Sequence, residues 1–263
     1  MNRGQANQGM RCIRKIVSDY SDYLIVEEFD VRVKNQLPDL DFDIFISSGG
    51  PGNPLEGNGI WEHRFAHLVD RIWEHNKQEH VAKKHFFFIC HSFQLACNHF
   101  GLGEITKRRS TSFGVYPVHK TEAGKKDVLL STIGDPYWVV DSRDWQLIQP
   151  NLEVFEEKGA KILSLEKIRT HVELERAIMA VRFSDEMVGT QYHPEADPDG
   201  MEEHFKKEEN RQKVIDNFGV EKYEEMMAKL ADPDKLWNTH NSILPRFIEH
   251  ALEKLCVIQP ETV

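Results

Sequence analysis

One stretch of the sequence decides the fold: His85-Phe86-Phe87-Phe88-Ile89-Cys90-His91-Ser92-Phe93-Gln94-Leu95-Ala96-Cys97. Its first half is an uninterrupted apolar run, which is typical of a buried strand. The residues from 91 to about 100 predict a helix, and Gly101 is a suitable residue to end it. Cys90 therefore lies where a strand turns directly into a helix.

The position of Cys90 favours reactivity of its sulfur. The unpaired N–H groups and the positive dipole end of a helix N-terminus favour thiolate over thiol. The same corner directs backbone N–H groups at whatever the sulfur attacks. The pattern thus predicts a nucleophile elbow with sulfur in place of a serine hydroxyl.

Strand and helix patterns alternate on the N-terminal side of this corner. They predict a helix over 9–19, strands over 23–26 and 42–46, and a helix over 60–76. This alternation predicts an α/β fold with an open, mostly parallel sheet flanked by helices. Because ligands bind at the carboxyl ends of such strands, the turn at 49–52 and Cys90 are expected to share one edge.

The sequence on the C-terminal side of Cys90 has a different secondary-structure pattern. Short strands recur between about 104 and 192, and we place them at 115–118, 137–140, 160–165, 177–183 and 187–191. Residues 200–255 are helical in pattern and highly charged. We therefore divide the chain into an α/β domain over 1–199, with a small β-rich section, and a helical C-terminal extension over 200–263.

The composition disfavours several classes of protein. The 263 residues carry a net charge of −10, which argues against a general binder of nucleic acid or membrane surfaces. The four cysteines form no CxxC pair, so a reduced, cytoplasmic location fits best. The N-terminus lacks the apolar segment of a signal peptide, and the longest apolar run is far below the ~20 residues that cross a bilayer.

The beginning of the chain is unusual for this fold class. Folds of this kind normally open with a buried strand before the first helix, whereas this chain opens in the polar segment Met1–Gly9. We expect either that the true start lies upstream or that the strand has been lost.

Three segments are chemically linked in the prediction. Cys90 is the first, and the second is His193-Pro194-Glu195, which follows another predicted strand. Its imidazole can take the thiol proton, and its carboxylate can orient the imidazole. The third is Gly49-Gly50-Pro51-Gly52, a turn whose backbone N–H groups can approach a substrate closely.

In these three segments the chain resembles the class I (triad) glutamine amidotransferases, in particular the glutaminase half of GMP synthase. The family pattern is a Gly-Gly-Pro-Gly-type loop, a Gly-x-Cys-x-Gly-x-Gln elbow and a His-Pro-Glu, and all three occur here in that order over residues 9–197. The family histidine before the segment 145–150 is replaced by Ser142. The resemblance implies a flavodoxin-like fold.

The resemblance also implies a mechanism. Cys90 would attack the side-chain amide of glutamine, His193 would protonate the departing ammonia and then activate water, and Glu195 would orient His193. The N–H groups of Gly50 and His91 would stabilise the oxyanion, with no use of the His91 side chain.

Substrate and partner follow from the same resemblance. Gln94 occupies the elbow glutamine position and, with Gly52, is implied to contact glutamine. No cofactor is implied, and the ammonia would pass to a separate synthetase partner. The sequence leaves the oligomeric state open, and His63 and His67, although spaced i, i+4, have no evident third metal ligand.

Two departures keep other functions open. Phe88 and Ser92 stand where the family elbow has glycine. The alternatives are therefore an acyltransferase or a γ-glutamyl hydrolase on the same scaffold, or a non-catalytic regulatory module.

Overall fold

The computed structural model describes residues 8–57, 59–168 and 175–258. Its strands are β1 Ile44–Ser47, β2 His85–Ile89, β3 Glu104–Lys120, β4 Tyr137–Ile148, β5 Lys161–Glu166, β6 Ile178–Arg182 and β7 Met187–Thr190. Its helices are α1 Gln8–Ser18, α2 Ile60–Lys77, α3 His91–His99, α4 Glu122–Lys126, α5 Leu152–Lys158, α6 Pro198–Lys206, α7 Glu208–Phe218, α8 Val220–Leu230, α9 Leu236–His240 and α10 Ile243–Ile258.

The described strands form one seven-stranded sheet in the order β1-β2-β7-β6-β5-β3-β4. Strand β2 runs parallel to both of its neighbours, β1 and β7. The remaining four pairings, β7 with β6, β6 with β5, β5 with β3 and β3 with β4, are antiparallel. The predicted β-rich section therefore extends the same sheet with antiparallel strands. The predicted α/β fold with flanking helices is confirmed, but the described sheet is mixed and not mostly parallel, since only the pairings of β2 with β1 and β7 are parallel.

Strand β2 shows why the sheet needs helices on both faces. All five of its residues are buried, and successive side chains point to opposite faces. Phe87 and Ile89 join the core beneath α1 and α10, whereas Phe86 and Phe88 join the core beneath α2 and α3. Burial of each phenylalanine side chain stabilises the fold by about 1.5–3 kcal/mol.

The described residues from 200 to 258 are mostly helical, and their helices pack in two different places. Helix α10 lies in the layer with α1, where Leu244, Phe247 and Ile248 are buried. Helix α8 contributes Met226 and Leu230 to a separate apolar cluster against β3 and β4. No described helix combines the length and apolar composition needed to cross a membrane.

The strand predicted over 23–26 is wrong. Tyr23 ends a turn, the following residues are irregular, and the side chain of Ile25 is 95% exposed. An apolar run becomes a strand only when a neighbour completes its hydrogen-bond ladder, and residues 23–26 join no ladder of the described sheet. Residues 1–7, on which the prediction about the chain start depends, lie outside the described ranges.

Candidate active site

A cleft opens at the carboxyl ends of β1, β2 and β7. Gly49 follows β1, Cys90 follows β2 and His193 follows β7. Because these neighbouring strands are parallel, the residues that follow them meet at the same edge of the sheet. All three line one cleft of about 290 Å³, as the sequence predicted for the glycine turn and Cys90.

Cys90 occupies a strained corner. Its φ of 52° and ψ of −102° lie near the values of the first central residue of a type II′ turn, a position that favours glycine. Such a conformation costs about 1–3 kcal/mol in a residue with a side chain. The corner is held on both sides, since the Cys90 N–H donates to Thr190 O at 2.7 Å and the Gln94 N–H donates to Cys90 O at 3.0 Å.

Phe88 fits beside this corner because a glycine lies opposite it. Phe88 is fully buried, and its register partner on β7 is Gly189. A Cβ atom on Gly189 would lie 3.0 Å from Phe88 Cβ and 2.9 Å from Phe93 Cδ2. The space that the family obtains from a glycine before the nucleophile is thus provided here by the neighbouring strand.

Ser92 replaces the second elbow glycine and gains hydrogen bonds. Its hydroxyl accepts from the Ile89 N–H at 2.9 Å and lies within donating distance of Ser47 O at 2.8 Å. The side chain therefore ties the elbow to the end of β1. Both departures from the family pattern are accommodated without loss of the turn at Cys90.

His193 and Glu195 form a close pair. The distance from His193 Nδ1 to Glu195 Oε1 is 2.8 Å, and the side chains are 22% and 1% exposed. Burial disfavours the charged imidazole, but the Glu195 carboxylate and the Cys90 sulfur outweigh burial and hold the pKa of His193 well above its ordinary value. The pairing thus favours the protonated form of the imidazole.

Contacts from β4 and α9 fix the backbone of this pair. The His193 N–H donates to Val140 O at 3.0 Å. The Nδ1–H of His240 donates to Glu195 O at 3.1 Å, since a carbonyl oxygen can only accept. Burial lowers the pKa of His240, so this imidazole is neutral at neutral pH.

Gly49 brings the sulfur and the imidazole together. A Cβ atom at this position would lie 2.9 Å from His193 Cε1 and 3.1 Å from Cys90 Cβ. Only glycine leaves room for both side chains against the loop backbone. The sequence analysis singled out Gly50 and Gly52 in this loop, and both line the same cleft.

The amide of Gln94 is committed to protein partners. Its Nε2 donates to Gln191 Oε1 at 3.0 Å and to Trp145 O at 3.2 Å. Gln191, which is fully buried, in turn donates from Nε2 to Cys90 Sγ at 3.8 Å. The elbow glutamine thus positions a second amide beside the sulfur.

Arg32 joins the glycine loop to the elbow helix. Its Nη1 donates to Pro51 O at 2.5 Å, its Nη2 donates to His91 Nε2 at 3.1 Å, and its guanidinium lies 4.8 Å from the Trp61 ring centroid. Burial, assisted by the charge of Arg32, lowers the pKa of His91 to about 4. The His91 side chain is therefore a neutral acceptor that anchors the loop, a role that the sequence analysis did not anticipate.

The cleft gathers every residue that the sequence analysis singled out for the chemistry, namely Cys90, His193, Glu195, Gly50, His91, Gln94 and Gly52. It also contains residues to which the sequence assigned no role, namely Thr111, Arg143 and Asp144. Within the described parts of the chain, no group of three or more histidine, cysteine, aspartate or glutamate side chains is arranged to hold a metal ion.

Comparisons with known proteins agree with this architecture. The sequence model "Glutamine amidotransferase class-I" matches residues 10–210. Among solved structures, the protein SMU.1228c has 19% identity and a TM-score of 0.65, with coverage of 91% of this chain and 93% of its own. A glutamine amidotransferase from Thermotoga maritima has 13% identity and a TM-score of 0.67, with coverage of 92% and 91%.

A glutaminase domain of CTPS from Trypanosoma brucei, solved with bound acivicin, has 12% identity and a TM-score of 0.53, covering 72% of this chain and 79% of its own. At these identities the structural matches show a shared fold. A sequence comparison with curated proteins gives no match.

Proposed function

Because the chain belongs to the class I glutamine amidotransferase family, we propose that it hydrolyses the side-chain amide of glutamine, or of a γ-glutamyl compound, through a thioester on Cys90. The observation that carries the proposal is the placement of Cys90 and His193 against Gly49. Glu195 behind the imidazole completes a nucleophile, base and orienting group. The proposed reaction uses no cofactor.

The first half of the reaction forms the thioester. The Cys90 sulfur adds to the amide carbon, and the N–H groups of Gly50 and His91 stabilise the oxyanion. The carbon–nitrogen bond then breaks as His193 gives its proton to the departing nitrogen. The raised pKa of His193 supports this step, because it favours the protonated imidazole that acts as the general acid.

The second half restores the enzyme. Water adds to the thioester carbon while His193 takes its proton, and the carbon–sulfur bond breaks to release glutamate. Cys90 leaves as the thiolate beside the protonated imidazole. Each oxyanion donor contributes about 10²–10³ in rate, so the loop that carries Gly50 matters nearly as much as the base.

The elbow supports a catalytic role over a regulatory one. Phe88 and Ser92 motivated the non-catalytic alternative, yet Gly189 gives room to the first and hydrogen bonds hold the second. Cys12, Cys90 and Cys97 are free thiols, which fits a reducing compartment. We therefore propose a cytoplasmic enzyme that acts either alone or with a synthetase partner that accepts the ammonia.

The decisive experiment compares two cysteine variants. Cys90→Ala is expected to lose glutamate and ammonia formation from glutamine, whereas Cys97→Ala, which alters a buried thiol on the same helix, retains it. A glutamine-analogue diazo-ketone should add its mass to the Cys90 peptide alone. Ammonia release by Cys90→Ala, or absence of the adduct with no turnover of any γ-glutamyl amide, would refute the proposal.

A further inference from the structure

A second cavity, of about 220 Å³, adjoins the catalytic cleft. The two spaces share Gly9, Ser142, His193 and Glu195 in their walls. The remaining wall of the cavity is mostly apolar and includes Phe113, Val115, Met201, Phe205, Met226 and Leu230. We call this cavity the side pocket.

The outer wall of the side pocket comes from α8, beyond the family segment 10–210. Met226 and Leu230 of α8 are buried and form one apolar cluster with Val115 and Val140 of the sheet. The helical extension therefore shapes a space that reaches the proposed general acid, and the family segment alone would leave this space open.

Resting on the proposed function, we propose that the side pocket binds the apolar substituent of a leaving amine. The preferred substrate would then be a γ-glutamyl amide of an uncharged primary amine instead of free glutamine. A general acid must lie within hydrogen-bond reach of the nitrogen that it protonates. A substituent on that nitrogen therefore begins beside His193, which borders the side pocket as well as the cleft.

The chemical step is unchanged by the substituent. Cys90 forms the carbon–sulfur bond, the carbon–nitrogen bond breaks, and the proton of His193 passes to the nitrogen, so that a neutral amine leaves. Water then cleaves the thioester to glutamate. No further reactant is needed.

The volume of the side pocket and the charges in its wall indicate which leaving amine it can accept. An apolar cavity of about 150 Å³ is enough to hold benzene, so the side pocket has room for a butyl or phenyl group. Its wall contains no lysine or arginine but includes the carboxylates Asp141 and Glu195. Asp141 and Glu195 are already paired with Arg143 and His193. An amine that carries its own carboxylate, such as an amino acid, would therefore have to bury an unpaired charge against a mostly apolar wall, which is costly.

The test compares four substrates on the full chain: glutamine, γ-glutamyl-n-butylamide, γ-glutamylanilide and γ-glutamylglycine. We expect kcat/KM for the butylamide or the anilide to exceed that for glutamine by at least about tenfold, with γ-glutamylglycine poorest, because apolar contacts give gains of this size. Glutamine hydrolysis with no gain for the apolar amides overturns the side-pocket assignment alone. Failure to hydrolyse any of the four overturns the proposed function with it.

Variants on α8 locate the effect. Met226→Trp fills the side pocket and should lower the butylamide-to-glutamine ratio of kcat/KM about tenfold. Ala228→Trp, which adds the same ring at an exposed position of the same helix, should leave that ratio unchanged. If Met226→Trp fails to fold, Met226→Ala is the second test, since the enlarged pocket should move the preference toward γ-glutamyl-n-hexylamide. An unchanged order of preference in the folded variant would contradict the assignment.

Discussion

Gly189 on β7 lies directly across from Phe88 on β2, and the absence of its side chain is what allows a phenylalanine two residues before Cys90. The same glycine makes room for Phe93, which lies one turn into the elbow helix. Strand pairing therefore gives the elbow the room that its own sequence lacks.

This relationship predicts the effect of Gly189→Ala. The added methyl group would meet Phe88 and Phe93 at about 3 Å, and overpacking of this kind costs about 1–3 kcal/mol of unfolding free energy. Urea unfolding measures the loss. Gly134→Ala is the matched control, because a Cβ at that exposed position has only an ordinary contact, at 3.4 Å to Pro136 O. Equal unfolding free energies for the two variants would contradict the prediction.

Gly49→Ala should affect activity more than stability. Its methyl group would push His193 or Cys90 from its place, and a displacement near 1 Å can cost about 10²-fold in rate. Steady-state glutamate formation, measured beside thermal unfolding, separates the two effects. A variant that retains wild-type kcat would show that the contact at Gly49 does not set the alignment of sulfur and imidazole.

The pH dependence follows from the raised pKa of His193. Its proton stabilises the folded state fully below the ordinary value of 6.5, and this stabilisation is lost as pH rises through the folded-state pKa. Activity should likewise fall on the alkaline side when His193 loses its proton. Glu195→Gln removes the main charge that raises this pKa, so the alkaline limb of kcat/KM should move to lower pH, with kcat lowered about 10²–10⁴-fold.

The matched control for that experiment is Glu157→Gln, an exposed carboxylate on α5. It should keep both the wild-type limb and the wild-type kcat. If the alkaline limb of the kcat/KM profile stayed at the same pH in Glu195→Gln, a group other than His193 would determine that limb.

Arg32→Met should loosen the glycine loop. The substitution keeps an apolar stem near Trp61 but removes the donors to Pro51 and His91, and we expect kcat/KM to fall about tenfold. The pKa of His91, now about 4, should rise, because Arg32 is the charge that helps burial to lower it. NMR titration of the His91 imidazole reports this shift independently of turnover.

A second arginine serves as the control for the loop. Arg14→Met breaks an exposed ion pair with Glu28, a type of pair worth about 0–1 kcal/mol. It should change neither kcat/KM nor the His91 titration. Equal losses in the Arg14 and Arg32 variants would indicate a general effect of removing positive charge.

The sequence indicated which residues meet in the cleft because these residues follow strand ends. Cys90, His193 and the glycine loop each lie in a short contiguous pattern, and parallel strands bring such patterns to one edge. The roles assigned to individual residues remain predictions until the variants are measured.

Features that depend on distant partners escaped the sequence analysis. The strand predicted at 23–26 failed because a local apolar pattern does not reveal whether a neighbouring strand exists. The accommodation of Phe88 depends on Gly189, and the anchoring of Pro51 depends on Arg32 from an irregular segment. The residues of each pair are far apart in the sequence, so no local sequence pattern predicts their contact.

Helix α10 has a consequence for how the chain can be divided. It lies outside the segment 10–210 that matches the family, yet Leu244, Phe247 and Ile248 pack into the same core as Phe87 and Ile89 of the strand that precedes Cys90. A fragment trimmed to the family segment would lose the part of this cover that α10 provides beside α1, and the exposed apolar surface would favour aggregation. The segment that matches the family and the segment that packs into this core thus have different boundaries.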